Sequence, residues 1–432
     1  MGYETSSKLS TGHVPSTKHE ALIMTHTKYG TPYWLHRFPR NRQPDYPRVR
    51  GEVEADAVIV GGGLTGCLTA YAFGVAGVGA VLVEAGRIGH GSTASSAGVV
   101  LPEAAPDFAV LRERHGLRAA RQMWLMSRRA ALDFAALVRR LHVRCDLAMS
   151  DTMTFAVTPE SGRRLQQEYQ ALREADIEAS WLTRARLQQE TGIAGSGGIR
   201  GHGAAHVDPY RALVAVARAA DRRGVAIYER TPVRRVRATR QGVEVTTGTG
   251  TIRAKTVVLA TLFPTPELKP LRRHFTVLHR YAVLTPPLSA ALRRQTGHRP
   301  IVLREGAGGG HVLAWTSDDR ILFAGAEQPR VPDRSRDRAL VQRTGQLMYE
   351  LSLLYPAISG IQPEYGWDTL VANTVDGAMY AGPHRNYPHH LFALGYLHNG
   401  LGQAWLAARI VLRHYLRAPD KGDELFAFSR NL

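Results

Sequence analysis

The chain has 432 residues, of which 44% are hydrophobic and 21% are charged. This composition excludes an intrinsically disordered protein and allows about two or three domains. Its two cysteines, Cys67 and Cys145, are too few for a disulfide framework or a cysteine-based zinc site, so we expect no metal. The formal net charge of +18 comes mostly from arginines spread along the chain, which favours a diffuse basic surface over a nucleic-acid-binding tail.

The chain begins with a polar segment, and an uncharged segment follows. Residues 1–30 lack the apolar core of a secretory signal, so we expect a poorly ordered tail and a cytoplasmic protein. Residues 57–83 contain no charged side chain and are long enough to span a membrane. Their order of apolar run, glycine turn, small-residue run and second apolar run instead predicts a strand, a helix and a strand, and no transmembrane segment.

The glycine turn in this segment has the spacing of a dinucleotide-binding motif. Gly61 allows a tight turn, Gly63 lets the backbone approach a pyrophosphate, and Gly66 lets the helix pack on the strand. The helix N-terminus presents N–H groups and a positive dipole to the phosphates. Glu84 ends the second strand about 20 residues later, where a carboxylate accepts hydrogen bonds from ribose hydroxyls. Because Glu84 would repel a 2′-phosphate, FAD or NAD fits this site and NADP does not.

A loop rich in small residues and hydroxyls, "GRIGHGSTASSAGVV" at 86–100, follows the second strand directly. The order of strand, acid and Gly/Ser/Thr-rich loop resembles the D-amino acid oxidase-like family of FAD-dependent oxidoreductases. The similarity is greatest to the branch of γ-glutamylputrescine oxidase, glycine oxidase and sarcosine oxidase. In that family the loop wraps the FAD pyrophosphate and ribityl chain and then passes beside the flavin ring. The resemblance therefore implies FAD rather than NAD.

Two central segments continue the resemblance, which extends from about Tyr33 onward. Asp208 and Pro209 begin an amphipathic helix, and a strand follows it. By resemblance, Val233 supplies backbone contacts to adenine. An apolar strand over 254–261 then completes the FAD-binding domain, although the leucine that follows stands where the family usually has glycine or asparagine.

The C-terminal segment repeats the pattern of strand, glycine turn and helix. A strand over 391–393 leads to "HNGLG" at 398–402, and a helix is predicted over 403–416. The N-terminus of this helix can direct its dipole at the flavin N1–C2=O edge. Motif and resemblance together imply FAD contacts from Gly61, Gly63, Leu64, Thr65, Gly66, Glu84, Ala85, Ser92, Thr93, Ala97, Gly98, Val99, Val233, His398, Asn399, Gly400, Leu401, Gly402 and Gln403.

The remaining segments predict a second, substrate-binding domain. The expected fold class is α/β, with a Rossmann-like FAD-binding domain and a substrate domain built on a mixed or antiparallel sheet plus helices. The expected active site lies between the flavin and this sheet. The predicted division is a tail and lead-in over 1–50, FAD-binding segments over 51–106, 197–262 and 363–432, a helical substrate segment over 107–196, and a substrate sheet over 263–362.

The resemblance implies oxidation of a C–N bond, with hydride transfer from the carbon to flavin N5 and an imine as product. It implies no acid–base residue, because the neutral amine is the reactive form. Amino-acid oxidases of the family hold the substrate carboxylate with an arginine five positions before an Asp-Gly pair, and this chain has Val371 there. An amine, a polyamine derivative or an N-alkyl compound is therefore favoured over a simple α-amino acid, unless Arg280 or Arg304 substitutes.

Ser95 stands where some relatives carry a flavin-linking histidine, so non-covalent FAD is expected.

The resemblance leaves the electron acceptor open. Residues 301–330 contain no lysine of the kind that sarcosine oxidases use to activate oxygen, so oxygen and a quinone are both candidate acceptors. The alternatives are a membrane-associated or quinone-linked dehydrogenase and an RNA-docking flavoprotein of the same fold. Candidate substrate-pocket residues are Tyr281, His311, Trp315, Tyr396 and His398.

Overall fold

The computed structural model describes residues 26–103, 107–297, 301–306, 310–396 and 400–430. Its α-helices are α1 (Tyr33–His36), α2 (Leu64–Val75), α3 (Phe108–Arg140), α4 (Pro159–Glu174), α5 (Arg184–Thr191), α6 (Pro209–Asp221), α7 (Ala290–Gln295), α8 (Asp333–Leu354) and α9 (Gly400–Tyr415). Its strands are β1 (Lys28–Tyr29), β2 (Gly51–Val60), β3 (Ala80–Val83), β4 (Val99–Val100), β5 (Ala148–Ala156), β6 (Ser180–Leu182), β7 (Gly197–His206), β8 (Ala226–Tyr228), β9 (Val233–Ala238), β10 (Val243–Thr247), β11 (Gly250–Leu262), β12 (Phe275–Leu284), β13 (Ile301–Glu305), β14 (Val312–Trp315), β15 (Ile321–Pro329), β16 (Tyr365–Thr374), β17 (Tyr380–His384) and β18 (Tyr387–Leu394).

The first sheet has eight strands in the order β17-β18-β11-β2-β3-β8, and β10 and β9 extend it from β11. The strands from β18 to β8 are parallel. The inner ends of β2, β3 and β11 are continuous apolar runs that are buried, as expected for a parallel sheet covered on both faces. The uncharged segment over 57–83 therefore forms the end of β2, α2 and β3, as predicted.

Helix α2 packs tightly against this sheet and against α6 and α9. Ten of its twelve residues are buried, including the small residues of its first turn. A Cβ atom at Gly66 would lie 1.8 Å from the Gly61 carbonyl oxygen, so only glycine allows α2 to lie this close to the preceding turn. Among the described helices, none is both long enough and apolar enough to cross a membrane.

The second sheet has ten strands in the order β1-β16-β12-β15-β14-β13-β5-β7-β4, and β6 pairs with β7. The pairs β1–β16 and β13–β5 are parallel, and the other pairs are antiparallel. Leu313 and Phe323 pack with α8 on one face of this sheet, whereas Ala282 and Ala324 belong to the core on the other face. The predicted α/β fold class, with a Rossmann-like sheet and a second mixed sheet, is confirmed.

The second sheet draws on more of the chain than the sequence analysis predicted. Strand β5 lies inside the segment predicted to be helical, between α3 and α4. Strands β7 and β16 lie in segments assigned to FAD binding, yet both pair within the ten-stranded sheet. The reason is that these strands join neighbours far away in the chain, which local periodicity does not report. The predicted domain boundaries stay predictions.

Of the tail predicted over 1–30, residues 1–25 lie outside the described residues. Its end forms β1, which pairs with β16 in the second sheet. The Tyr33 hydroxyl donates to the Asp318 carboxylate at 2.8 Å, which fixes α1 to the second sheet. The Trp34 indole N–H donates to the Ser96 carbonyl at 2.9 Å. The lead-in therefore joins the edge of the second sheet before the chain forms the first sheet.

At the end of β7, His206 makes the stability of this sheet depend on pH. His206 pairs with Val99, and its Nε2 atom is buried with no hydrogen-bond partner among the described residues. Burial lowers the pKa of His206 to about 4, below the value of about 6.5 expected in the unfolded chain. Between these two values the unfolded chain binds more protons than the folded protein. Stability therefore declines as the pH falls from about 6.5 to 4, by up to about 3 kcal/mol from this residue.

We expect His206→Gln to remove this part of the pH dependence. The measurement is the free energy of unfolding in urea at several pH values between about 4 and 6.5. The wild type should lose stability towards acid more steeply than the variant. Equal slopes for the two proteins would contradict the buried, neutral state assigned to His206.

Candidate functional site

A cavity of about 490 Å³ lies between the two sheets. The ends of β2, β3 and β11 and the first turns of α2 and α9 form one wall, and β12, β14, β15 and β16 form the other. The structure brings together on this cavity most of the residues predicted to contact FAD. Those that line it are Gly61, Gly63, Leu64, Thr65, Glu84, Ala85, Ser92, Thr93, Ala97, Gly98, Val99, Val233, Gly400 and Leu401.

The other predicted FAD contacts lie elsewhere. Gly66 packs against Gly61 behind the turn. Gly402 and Gln403 are buried inside α9, which begins at Gly400 and so starts three residues earlier than predicted. The predicted contacts at 398 and 399, His398 and Asn399, lie outside the described residues. Contact with FAD stays a prediction for every residue of the predicted set.

The turn before α2 leaves open space beside one of its glycines. Gly61 has φ +111°, and a Cβ atom there would meet the Ala260 carbonyl oxygen at 2.5 Å. A Cβ atom at Gly63 would have only the Thr93 Oγ1 atom within 4 Å, at 3.6 Å, so this glycine borders open space in the cavity. The sequence motif therefore contains two kinds of glycine. Gly61 is required by the fold, whereas Gly63 leaves room for a ligand.

The Glu84 carboxylate is held at the end of β3 by two backbone groups. The Gly62 N–H donates to Oε2 at 2.7 Å, and the Gly86 N–H donates to Oε1 at 2.8 Å. The carboxylate also lines the cavity. It therefore has a fixed position from which it can accept hydrogen bonds from ribose hydroxyls.

Several polar groups of the loop over 86–100 form hydrogen bonds that hold the loop in place. The Leu64 N–H donates to Thr93 Oγ1 at 3.0 Å, and Ser92 Oγ donates to the Leu370 carbonyl at 3.0 Å. The Trp367 indole N–H donates to the Ser95 carbonyl at 2.9 Å, beside the bond from Trp34 to Ser96. Sequence reasoning missed both indoles, because their contact with the loop depends on strand β16 and on the lead-in.

These features fit a flavin dinucleotide. Helices α2 and α9 both begin at the cavity, so the positive ends of two helix dipoles face the same volume. The turn beside Gly63 is open, and Glu84 stands at the end of the adjacent strand. A negatively charged diphosphate with a ribose is the kind of ligand that this arrangement stabilises.

Arg280 on β12 is the charged group on the opposite wall of the cavity. Its guanidinium is buried and donates to Glu327 at 2.9 Å and to the Gly310 carbonyl at 3.0 Å. Burial lowers the pKa of Arg280, and the neighbouring Glu327 carboxylate opposes this shift. The other arginine considered from the sequence, Arg304, does not line this cavity and lies 3.9 Å from Glu103 instead.

The predicted substrate-pocket residues divide between the two faces of the sheet. Tyr396 lines the cavity and is buried, which raises the pKa of its hydroxyl. Tyr281 borders the cavity, but its ring packs in the core under α8, where its hydroxyl accepts a hydrogen bond from Gln328 at 2.6 Å. Trp315 belongs to the same core and does not line the cavity.

His311 also lies on the α8 side of the sheet. Its Nδ1 atom is 2.5 Å from Glu305, its Nε2 atom is 3.0 Å from Glu350 on α8, and its ring stacks on Phe323. Strand alternation explains this placement, because Val312 on the same stretch lines the cavity. The fifth candidate, His398, lies outside the described residues.

Sequence reasoning missed the residues that lie next to Arg280 on the second sheet. Thr369 on β16 lines the cavity and is paired in register with Arg280 on β12. Glu327 reaches Arg280 from β15, across an irregularity in the pairing of β12 and β15. Neither residue belongs to a local motif, so no signal in the sequence identified it. Val371, which replaces the expected arginine, also lines the cavity.

Comparisons with known proteins give one consistent result. A family model described as "DAO: FAD dependent oxidoreductase" matches residues 56–413. The chain is 22% identical over 385 residues to "Probable oxidoreductase OrdL" of Haemophilus influenzae, covering 86% of this chain and 85% of that protein. It is 23% identical over 399 residues to "Gamma-glutamylputrescine oxidoreductase" of Escherichia coli, covering 90% and 89%. The crystal structure of glycine oxidase from Geobacillus kaustophilus has a TM-score of 0.72 at 21% identity, covering 88% of this chain and 100% of that one.

The two kinds of glycine in the turn give a direct test of the ligand assignment. A side chain at Gly63 meets open space, so we expect Gly63→Asp to fold normally. The added carboxylate would repel a diphosphate, and we expect the purified variant to contain less than about a tenth of the wild-type flavin. The measurement is the flavin absorbance at about 450 nm relative to protein, with circular dichroism to monitor the fold.

Gly66→Ala is the matched control for that experiment. Its added methyl group would overlap the Gly61 carbonyl oxygen, so we expect this variant to be destabilised even in the absence of flavin. A Gly63→Asp protein with full flavin content would show that the glycine assignment is wrong.

Proposed function

Because the chain belongs to the DAO family of FAD-dependent oxidoreductases, we propose that it oxidises a C–N bond of an amine or an amino-acid-like small molecule. The predicted family resemblance, the enzyme class and the FAD cofactor are confirmed by the match over residues 56–413 and by the structural neighbours. When bound, FAD would accept a hydride at N5 from the carbon that bears the nitrogen, which leaves an imine product. Relatives named gamma-glutamylputrescine oxidoreductase and glycine oxidase support this class of substrate.

One observation carries the proposal: the turn predicted to hold the dinucleotide and the face of the ten-stranded sheet border the same cavity. Ala282, Val312, Ala324 and Val371 give the sheet side of this cavity an apolar surface. Such a surface excludes water from a reacting C–N bond. Polar groups on this wall are few, which is typical of small-molecule sites.

The charges on the sheet wall favour an amine with a second polar group over a simple α-amino acid. A lone arginine would attract a substrate carboxylate, but Arg280 already forms an ion pair with Glu327. The expected carboxylate-binding position is occupied by Val371, which offers no charge. With Arg280 paired and Val371 uncharged, this wall attracts a substrate carboxylate only weakly, and an amine can lie over the apolar surface. The Arg280–Glu327 ion pair and the uncharged Val371 both support this substrate preference.

The chain need not supply a strong catalytic base. No histidine is among the described residues that line the cavity, and a neutral amine can donate a hydride without one. We therefore assign no catalytic acid or base. The residues of the wall act by orienting the substrate and by excluding water.

The substrate preference can be tested by exchanging one charge. We expect alkylamines, polyamine derivatives and N-alkyl compounds to bleach the flavin anaerobically faster than glycine does. Glu327→Gln keeps the shape of the side chain and removes the carboxylate that pairs with Arg280. This variant should raise kcat/KM for amino acids relative to amines by roughly tenfold, which corresponds to one charge-assisted contact.

Glu305→Gln is the matched control, because Glu305 is also a half-buried carboxylate but lies on the α8 side of the sheet, beside His311. It should leave the substrate ratio unchanged. A wild-type protein that prefers simple α-amino acids, or a ratio that Glu327→Gln does not move, would contradict the preference. If no C–N compound bleaches the flavin, the proposed reaction is wrong.

We further propose that oxygen is a poor electron acceptor for this enzyme. No lysine is among the described residues that line the cavity, so no ammonium group is available there to stabilise the charge formed on oxygen. We expect the reduced protein to reoxidise slowly in air and quickly when a soluble quinone is added. The measurement is stopped-flow absorbance of the flavin together with a peroxide assay, and rapid peroxide formation in air would contradict this expectation.

A further inference from the structure

Helix α3 presents an exposed face that combines arginines with leucines. The helix is interrupted at Gly116, which has φ +77° and ψ +161°. The following residues, 117–140, contain six arginines and a single acidic residue, so this part carries a net charge of +5. Leu117, Leu125 and Leu132 have exposed fractions of 42%, 39% and 38%. At 100° per residue they lie within an arc of about 80°, so they form one apolar stripe.

Helix α9 extends this face. Arg409 and Arg413 lie on the same side of α9 as Leu416, which follows the helix and is 51% exposed. A groove of about 570 Å³ separates the two helices, and Met126 and Leu406 form part of its lining. Its cationic residues are Arg118, Arg121, Arg129, Arg409, Arg413 and Lys421. We refer to this groove, together with the exposed leucines and with Arg139 and Arg140 at the end of α3, as the α3–α9 surface.

The cations of the α3–α9 surface exceed the acids that could neutralise them. Asp133 is shared between Arg129 at 2.9 Å and Arg409 at 2.8 Å, and Asp423 pairs with Arg413. Arg121 lies 3.7 Å from the exposed Asp176, and Asp420 also lines the groove. Within the described part of the chain, no ion pair or side-chain hydrogen bond involves the charged groups of the remaining cations at the two ends of the face. These are Arg118, Arg139, Arg140 and Lys421. The surface thus presents uncompensated positive charge beside exposed apolar side chains.

We propose that the α3–α9 surface docks onto an anionic phospholipid bilayer. A membrane interface has a layer of anionic phosphates above the boundary of the acyl chains. The phosphates attract the arginines, and the acyl boundary accepts the leucines of the stripe. A nucleic acid would pair with the arginines but would leave the leucines in water. Single-stranded nucleic acids also stack on aromatic rings, and Trp124 of this helix is buried. The charge and the apolar stripe together therefore favour lipid.

This docking would orient the FAD-binding cavity relative to the membrane. The first turn of α9 lines the cavity, and Leu416 lies one residue beyond the other end of the same helix. At 1.5 Å per residue, Leu401 and Leu416 are separated by about 22 Å. The proposal concerns binding alone and does not depend on the proposed substrate.

The test uses the FAD-loaded protein and vesicles in a sedimentation assay. We expect binding to vesicles of phosphatidylcholine mixed with phosphatidylglycerol, little binding to phosphatidylcholine alone, and weaker binding as salt increases. Arg118→Gln/Arg139→Gln removes two unpaired cations and should weaken binding about 30-fold. Arg163→Gln/Arg240→Gln makes the same change of net charge at exposed positions elsewhere and should change binding less than about twofold.

A second variant separates docking from general attraction to a basic protein. Leu125→Ser/Leu132→Ser keeps every charge and should weaken binding to anionic vesicles roughly tenfold at high salt, with flavin absorbance unchanged. Three outcomes would overturn the proposal. They are equal binding to neutral vesicles, equal losses in the two arginine double variants, and tighter binding to a single-stranded RNA homopolymer that the leucine variant does not affect.

Discussion

The contact between Gly66 and the carbonyl oxygen of Gly61 is the constraint on which the cofactor side of this protein depends. The helix can approach the turn this closely only because position 66 has no side chain. The approach brings the N-terminus of α2 to the cavity and leaves the backbone beside Gly63 open. It also places the Leu64 N–H within reach of Thr93, so the loop over 86–100 is positioned from the same turn. The steric limit at Gly66 thus sets the positions of the α2 N-terminus, of the loop over 86–100 and of the cavity between them.

The loop over 86–100 connects the two sheets rather than belonging to one. Trp34 from the lead-in and Trp367 from β16 donate to neighbouring carbonyls of this loop, and Ser92 donates back to β16. Its small residues and hydroxyls therefore have two roles, since they let the backbone approach a ligand and they fix the second sheet against the first. The distance between the glycine turn before α2 and the β12–β16 wall of the cavity follows from these hydrogen bonds. The hydrogen bonds of this loop consequently set the width of the cavity.

The features that the sequence predicts here are those encoded by neighbouring residues. The glycine turn, the strand ended by Glu84 and the fold class depend on short-range spacing, and the structure has each of them. The opposite wall of the cavity depends on pairing between β12, β15 and β16, so the partner of Arg280 is not predictable from the sequence. The same limit applies to Tyr281 and His311. Alternation along a strand shows which residues share a face, but only the pairing of strands shows which face meets the cavity.

The position of β11 in the middle of the first sheet has a consequence for the order of events during synthesis. This strand pairs with β2 from the start of the chain and with β18 from its end. The cavity also needs Gly400 and Leu401 at the start of α9. Nearly the whole polypeptide must therefore leave the ribosome before the cavity is complete, whereas β2, α2 and β3 emerge early. Cofactor binding at this cavity is accordingly a late step, because the strands made first find all their partners only when the C-terminal strand and helix have been made.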